Sequence, residues 1–258
     1  MLLEEFDESR EAIVEPTSLI DKISNIPSVA IACFSGRFFY GMIQSLKVEP
    51  FTDADGKSIA GKLYIADYKN EKILIFRAPM GAPVCVTALE ELYAMGVEKV
   101  VMFGSCGVLQ NDIPEYSVII PTYALRDEGT SYHYAPPSNE IAVNPLYTTE
   151  FEELLNDMKI QYAKGKVWTT DAFFRETYKK LKLRKEQGCI CVDMECSAAA
   201  AVTAFRGKEL FHFFYAADAL SDEGWDTRNL NGAGNTEIQT EISKLALNLA
   251  LCMKKGKL

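Results

Sequence analysis

Histidine is nearly absent from this 258-residue sequence, and no cysteine belongs to a paired metal-binding motif. The only two histidines are His133 and His212, which argues against a zinc site, and no metal is expected. The seven cysteines form an odd set without a Cys-x-x-Cys pair. This usage indicates buried free thiols in a reducing compartment rather than a disulfide framework.

Positive charge and long apolar runs are also scarce. The chain carries 27 basic and 36 acidic residues, a net charge of −9, which argues against nucleic-acid or anionic-membrane partners. No apolar run approaches the ~20 residues of a membrane span. Residues 1–15 are acidic and lack the basic-then-apolar pattern of a secretory signal. We therefore expect a soluble, cytoplasmic protein.

Short apolar runs alternate with helical patterns along the chain. Strands are predicted at 29–34, 72–76, 99–103, 117–122, 165–169, 189–192 and 210–217. Helices are predicted from Pro83 to Gly96, at 151–159, at 195–205, and near the C-terminus, where apolar residues from Ile238 to Met253 form one stripe. The alternation predicts one α/β domain over residues 1–258, with a parallel or mixed sheet covered on both faces.

Two motifs lie where ligands bind in such sheets, at strand ends. Gly104-Ser105-Cys106-Gly107 is predicted as a small-residue turn, suited either to offering backbone N–H groups to an anion or simply to turning the chain. Asp193-Met194-Glu195 joins a strand to an alanine-rich helix. Glu195 is a candidate for binding the hydroxyls of a ribose, with Met194 on the sugar face. The alternative is a first-turn glutamate favoured by the helix dipole.

Three further stretches have two interpretations each. Asp218 follows the apolar run 211–217 and either lines a site or caps the next segment. Residues 169–175 combine two phenylalanines with Arg175, a set that suits either base stacking or core packing. Residues 126–134 include Arg126 and His133 and are typical of a functional loop or of an internally salt-bridged one.

In their order along the chain, these motifs resemble the nucleoside phosphorylase family, which includes uridine phosphorylase, bacterial hexameric purine nucleoside phosphorylase and methylthioadenosine nucleosidase. The resemblance covers residues 29–219 and the closing helix, and 126–133 resembles a uridine phosphorylase segment. It implies a three-layer α/β/α sandwich with a mixed, partly barrel-like central sheet. It also implies a homo-oligomer, a hexamer or a dimer.

The resemblance implies cleavage of an N-glycosidic bond with inorganic phosphate as co-substrate, giving free base and pentose 1-phosphate without a cofactor. It makes Asp218 the general acid for a leaving purine and assigns Met194 and Glu195 to ribose. The other assignments are phosphate contacts by Gly104, Ser105 and, in a shifted register, Arg37, and base contacts by Phe173 and Arg175, with Arg126 and His133 as possible additions.

Because the sequence departs from the family pattern, both phosphorolysis and hydrolysis stay as alternatives for the reaction. Met102 stands where phosphorylases usually carry an arginine, which weakens phosphate binding and favours the hydrolytic nucleosidases. Those hydrolases use a glutamate after the first strand, which is absent here. Arg37, Arg77 and Arg126 are candidates for rebuilding an anion site.

The base is also open, because different motifs favour different nucleosides. Asp218 and the Gly-Ser-Cys-Gly motif favour purine nucleosides, whereas 126–133 favours uridine. The primary hypothesis is a phosphorylase that prefers purine nucleosides. The alternatives are a uridine phosphorylase, a nucleosidase, and a nucleoside-binding protein without activity.

Overall fold

Strands and helices alternate along the computed structural model, which describes residues 2–51, 58–228, 230 and 235–256. The strands are β1 Val29–Cys33, β2 Lys47–Pro50, β3 Leu63–Tyr68, β4 Glu71–Arg77, β5 Lys99–Val108, β6 Val118–Asp127, β7 Glu140–Ala142, β8 Tyr162–Thr170, β9 Cys189–Asp193, β10 Glu209–Ser221 and β11 Gly224–Asp226. The helices are α1 Pro16–Leu19, α2 Gly36–Ser45, α3 Ala82–Met95, α4 Thr148–Asp157, α5 Tyr178–Glu186, α6 Cys196–Arg206 and α7 Thr236–Lys255. Short 3-10 turns cover Leu2–Glu4, Thr130–His133 and Phe173–Arg175.

These strands form one mixed sheet that is partly closed into a barrel. Its order is β11-β10-β6-β8-β9-β5-β1-β4-β3-β2, and β7 pairs with β6. Strand β10 also pairs with β5, so that β10, β6, β8, β9 and β5 form a closed ring. Strands β1, β4, β5 and β10 run parallel, whereas β9 runs antiparallel to β5.

Helices cover both faces of the sheet. On one face, α2, α4 and α7 bury apolar side chains such as Met42, Phe151 and Leu245 against β1, β5 and β10. On the other face, α3 and α6 pack through residues such as Leu89 and Ala199. This burial of apolar surface is the main stabilising contribution to the fold. The predicted α/β/α sandwich with a mixed, partly barrel-like sheet is confirmed.

The predicted turn at 104–107 is wrong, because β5 continues through it to Val108. Gly104 pairs with Phe214, and Gly107 pairs with both Asp218 and Val192. A Cβ atom on Gly107 would lie 2.6 Å from the Leu220 side chain, and one on Gly104 would lie 2.9 Å from a ring carbon of Phe34. The glycines therefore permit close packing around a strand rather than a change of direction.

Two other strands are longer than their apolar runs predict. Strand β6 continues to Asp127 and so contains Arg126, and β10 continues to Ser221 and so contains Asp218. The added residues of β6 pair with β7 and β8, which lie farther along the chain. Those of β10 pair with β11, to which a hairpin joins them. Asp218 follows a bulge in the pairing of β10 with β5, between Ala216 and Asp218.

Candidate active site

Strand β5 lies between the two strands that lead to the candidate carboxyl groups, β9 before Glu195 and β10 with Asp218. Gly107 in β5 pairs with Val192 in β9 on one side and with Asp218 in β10 on the other. Since β9 ends three residues before Cys196, Met194 and Glu195 lie at the same region of the barrel as Asp218. The strands that lead to two of the predicted subsites, the one for the sugar and the one for the general acid, thus pair with the two sides of β5.

Glu195 is held by the beginning of a neighbouring helix. Its carboxyl group is buried and accepts a hydrogen bond from the backbone N–H of Gly81, the N-cap residue of α3. Gly81 has a φ of 98°, a conformation that favours glycine. Glu195 is therefore positioned by a contact between two helices, α3 and α6, and its side chain does not cap its own helix.

Asp193 caps α6 instead. One of its carboxylate oxygens accepts hydrogen bonds from the backbone N–H groups of Glu195 (2.8 Å) and Cys196 (2.7 Å). The other accepts a hydrogen bond from the Thr169 hydroxyl at 2.7 Å. The simple interpretation of Glu195 as the helix-dipole glutamate does not fit this geometry, because Asp193 fills that role.

Burial favours the neutral form of the Glu195 carboxyl group. Removal from water, and then the nearby Asp193 carboxylate, raise the pKa of Glu195 to about 8. Burial also raises the pKa of Asp193, but the hydrogen bonds it accepts favour its charged form. Of these two neighbouring carboxyl groups, Glu195 is therefore the one that is protonated more readily.

Asp218 is half-buried and positioned by the β10–β11 hairpin. Its carboxylate accepts a hydrogen bond from the indole N–H of Trp225 at 2.7 Å, and burial raises its pKa. Glu176 lies near enough for electrostatic repulsion. Burial and then the Asp218 charge raise the pKa of Glu176 to about 7. Burial therefore opposes ionisation of both carboxyl groups, Asp218 and Glu176.

Ser35, Arg37 and Ser105 lie at a third part of the site, on the α2 side of the sheet. The Tyr215 hydroxyl hydrogen-bonds with the side chains of Ser35 and Ser105, and burial raises the pKa of Tyr215 to about 12. Ser35, Arg37 and Tyr215 also line a cleft of about 130 Å³. Hydroxyl groups beside a guanidinium are suited to an anion.

The aromatic segment is exposed rather than packed in the core. Phe173 is 43% and Phe174 88% exposed, with ring centroids 3.9 Å apart, and Arg175 is also exposed. The alternative of core-facing rings is wrong. These side chains are open to a ligand.

Arg126 is bound within its own loop, and the structure does not place it in a ligand site. Its nitrogens donate to the Ser131 hydroxyl at 2.8 Å and to the carbonyl oxygens of Pro136 and Ala135. The side chain is buried because β6 carries it inward. His133, at the end of the neighbouring 3-10 turn, is exposed.

The Phosphorylase superfamily model matches residues 28–251 of the chain. The chain belongs to this superfamily. Its membership confirms the family predicted from the motifs, a family of nucleoside phosphorylases.

Two sequence relatives of this superfamily member carry purine names. It is 28% identical over 148 residues to a guanosine phosphorylase from Halorubrum lacusprofundi, covering 57% of this chain and 61% of that protein. It is 25% identical over 180 residues to a DeoD-type purine nucleoside phosphorylase from Bacillus cereus, covering 64% of this chain and 74% of that protein.

Solved structures share the superfamily fold over nearly the whole chain. Uridine phosphorylase from Vibrio fischeri superposes with a TM-score of 0.73 at 21% identity, over 93% of this chain and 97% of that one. Purine nucleoside phosphorylase from Toxoplasma gondii gives a TM-score of 0.70 at 17% identity, over 95% and 96% of the two chains.

Several further residues lie around the candidate site, and the sequence assigns no separate role to them. Glu128 is buried and accepts hydrogen bonds from the Ser131 N–H and the Ser197 hydroxyl, each at 2.9 Å, as well as from the Ser131 hydroxyl. Tyr215 and Trp225 position groups of the site but have no sequence signal of their own. Asp193 does have a sequence signal, because an aspartate close to the start of a helical run is typical of a helix cap.

Among the residues that the structure describes, one buried cluster has metal-ligand chemistry. Asp193, Cys196 and His212 place possible ligand atoms within 4.8 Å of one another. Both Asp193 oxygens already accept hydrogen bonds, and burial raises the pKa of the Cys196 thiol, which opposes the thiolate that a metal needs. The absence of a metal and of a cofactor stays a prediction. None of the helices in the described ranges could cross a membrane.

Proposed function

We propose that the protein is a nucleoside phosphorylase that prefers purine nucleosides. The observation that carries this proposal is that β5 pairs on one side with β9, which leads to Glu195, and on the other with Asp218 in β10, and that burial raises the pKa of both carboxyl groups. A sugar between them has a carboxyl group for its hydroxyls on one side and an acid near the base on the other. This arrangement suits cleavage of the bond that joins a base to ribose.

Glu195 binds the sugar in this proposal. The Gly81 N–H fixes the orientation of its carboxyl group, and Met194 beside it is half-buried and packs on the sugar face. Loss of the Glu195 proton lets both carboxylate oxygens accept hydrogen bonds from the 2′- and 3′-hydroxyls. Because the pocket is buried, these bonds are stronger than in water.

Asp218 acts as the general acid. Burial favours its neutral form. In the proposed step the protonated carboxyl group transfers its proton to N7 of the purine as the C1′–N9 bond breaks and the electron pair of that bond moves into the base. A phosphate oxygen forms the new bond to C1′, and the products are free purine and pentose 1-phosphate. A uracil has no equivalent of N7, which is why this residue favours the purine assignment.

Phosphate and base occupy the remaining parts of the site. We assign phosphate to Ser105 and Arg37, near the Tyr215 hydroxyl, with Gly104 giving only close backbone approach. We assign the base to the exposed Phe173, which stacks on it, and to Arg175 at its edge. Assembly as a dimer or hexamer and a cytoplasmic location remain predictions.

A nucleoside panel tests the proposal. Purified protein is incubated with inosine, guanosine, adenosine and uridine, with and without phosphate, and free base is followed by chromatography. We expect base release only with phosphate, and faster from a purine nucleoside. Faster release from uridine would support the uridine phosphorylase alternative, and release without phosphate would support a nucleosidase. No release in any arm would leave a nucleoside-binding protein and contradict the proposal.

A further inference from the structure

Arg77, a residue outside the motifs of the site, extends to its anion end. It is the last residue of β4, and its guanidinium lies against Gly36. A Cβ atom added to Gly36 would lie 3.4 Å from the guanidinium carbon and 3.5 Å from a terminal nitrogen. Gly36 stands between Ser35 and Arg37, so Arg77 adjoins two residues that line the cleft.

The strand order brings Arg77 to the same end of the sheet as Ser105. Strand β1 lies between β4 and β5, and Cys33 in β1 pairs with Arg77 on one side and with Phe103 on the other. All three strands run parallel, so the residues that follow emerge together. Two strand spacings separate the β4 and β5 backbones by about 10 Å, a gap that an arginine side chain and a bound anion can fill together.

The β5 residue that corresponds to the family arginine cannot supply charge here. Met102 is fully buried in the apolar cluster between the sheet and helices α3 and α6. Arg77 is exposed. Among the ion pairs found within the described residues, none uses the Arg77 guanidinium, so no carboxylate there competes with an anionic ligand for it.

We infer that Arg77 binds the phosphate co-substrate and replaces, from β4, the positive charge that Met102 does not provide. This inference rests on the proposed phosphorylase function. The planar guanidinium can form two parallel charge-assisted hydrogen bonds to phosphate oxygens, which a lysine cannot reproduce. Gly36 gives the guanidinium its space at the mouth of the cleft.

Phosphate kinetics and phosphate binding test Arg77 separately. The variants are Arg77→Gln and Arg77→Lys, with Lys72→Gln as the matched control. Lys72 is an exposed cation on the same strand, five residues away, which is about 17 Å along β4. The phosphate KM is measured at saturating nucleoside, and the rise in Tm on adding phosphate is measured without nucleoside.

We expect Arg77→Gln to raise the phosphate KM by about 10- to 100-fold and to abolish the phosphate-induced rise in Tm. The nucleoside KM should change by less than about twofold, Arg77→Lys should be intermediate, and Lys72→Gln should match the wild type. A melting curve without phosphate that matches the wild type shows that the Arg77→Gln variant is folded.

The two readouts separate the failure of this inference from failure of the proposed function. If Arg77→Gln keeps the wild-type phosphate KM and Tm response, or if phosphate does not stabilise the wild type, the inference is overturned. If phosphate stabilises the wild type through Arg77 but no nucleoside is phosphorolysed, the anion site stands and the proposed reaction fails.

Discussion

The sugar side and the base side of the candidate site are built in opposite ways. On the sugar side, Glu195 and Asp193 are buried, and hydrogen bonds from backbone N–H groups and the Thr169 hydroxyl fix them. On the base side, Phe173 and Arg175 lie on a short 3-10 turn and are exposed.

The difference indicates where the chemistry is fixed and where selectivity is set. Every ribonucleoside presents the same 2′- and 3′-hydroxyls, so a rigid, preorganised carboxyl group suits the sugar side. Bases differ in size and edge, and exposed side chains on a turn are adaptable. Asp218 is intermediate in character, since the Trp225 hydrogen bond positions it but it remains half-buried.

The largest expected effect is at Asp218, the proposed general acid. Asp218→Asn should lower kcat for a purine nucleoside by roughly 10²- to 10⁴-fold, because the leaving base is no longer protonated, and kcat for uridine by much less. Steady-state kinetics with both substrates measure this. 7-Methylguanosine is the control, since its base leaves without protonation and its turnover should survive. Equal losses on all three substrates would contradict the role of Asp218 as an acid.

The next effect tests the rigid side. Glu195→Gln should lower kcat/KM by roughly 10- to 100-fold for every nucleoside, because a neutral amide replaces a carboxylate that accepts two hydroxyl hydrogen bonds. The loss should be equal for purine nucleosides and uridine. A loss that depends on the base, or kinetics like those of the wild type, would show that Glu195 does not bind the sugar.

A pH series tests the same side through the proton on Glu195. Because its pKa is about 8, the free protein holds this proton below pH 8 and must lose it to bind the diol. The nucleoside KM should therefore fall by up to about tenfold per pH unit as pH rises towards 8, and then level off. Phosphate is kept saturating throughout. The trend should vanish in Glu195→Gln, and its persistence there would assign it to another group.

A smaller effect is expected on the adaptable side. Phe173→Ala should raise the nucleoside KM by roughly 2- to 10-fold through loss of stacking, and more for purines than for uridine because a purine ring is larger. Phe174→Ala is the matched control, as this ring is more exposed and precedes Arg175 in the same turn. If the two variants exchange these effects, Phe174 is the stacking residue.

The smallest effect is expected at His133. This side chain is exposed at the end of a 3-10 turn, and its substitution by glutamine should leave kcat and KM within about twofold. A larger change with a purine nucleoside would add His133 to the base side. A change confined to uridine would support the alternative drawn from residues 126–133.

Local sequence predicted the helices, whose backbone hydrogen bonds lie within their own segments. The α3 helix ends at Gly96 as expected, and the α7 stripe from Ile242 to Met253 is buried. The turn at 104–107 was predicted wrongly because small residues have the same sequence signal in a turn and in a crowded strand. Only the pairing of β5 with β10 and β9, which is non-local, distinguishes these cases.

The same reasoning applies to the site. Asp193, Met194 and Glu195 are visible in the sequence because they lie at one strand-to-helix junction. The separate roles of these residues are not visible in the sequence, since the backbone N–H that holds the Glu195 carboxyl group belongs to Gly81, 114 residues away. Arg126 has the sequence pattern of a ligand-binding arginine, but its hydrogen bonds to the loop it precedes are set by folding of residues 128–136.

In the proposed reaction phosphate, not water, attacks the sugar. The most direct measurement is ³¹P NMR of the wild-type protein with guanosine and phosphate, with free guanine assayed in parallel. We expect a pentose 1-phosphate resonance that grows at the rate of guanine release, with an equal loss of inorganic phosphate. Guanine release with an unchanged phosphate signal would contradict the proposed reaction and make the protein a nucleosidase.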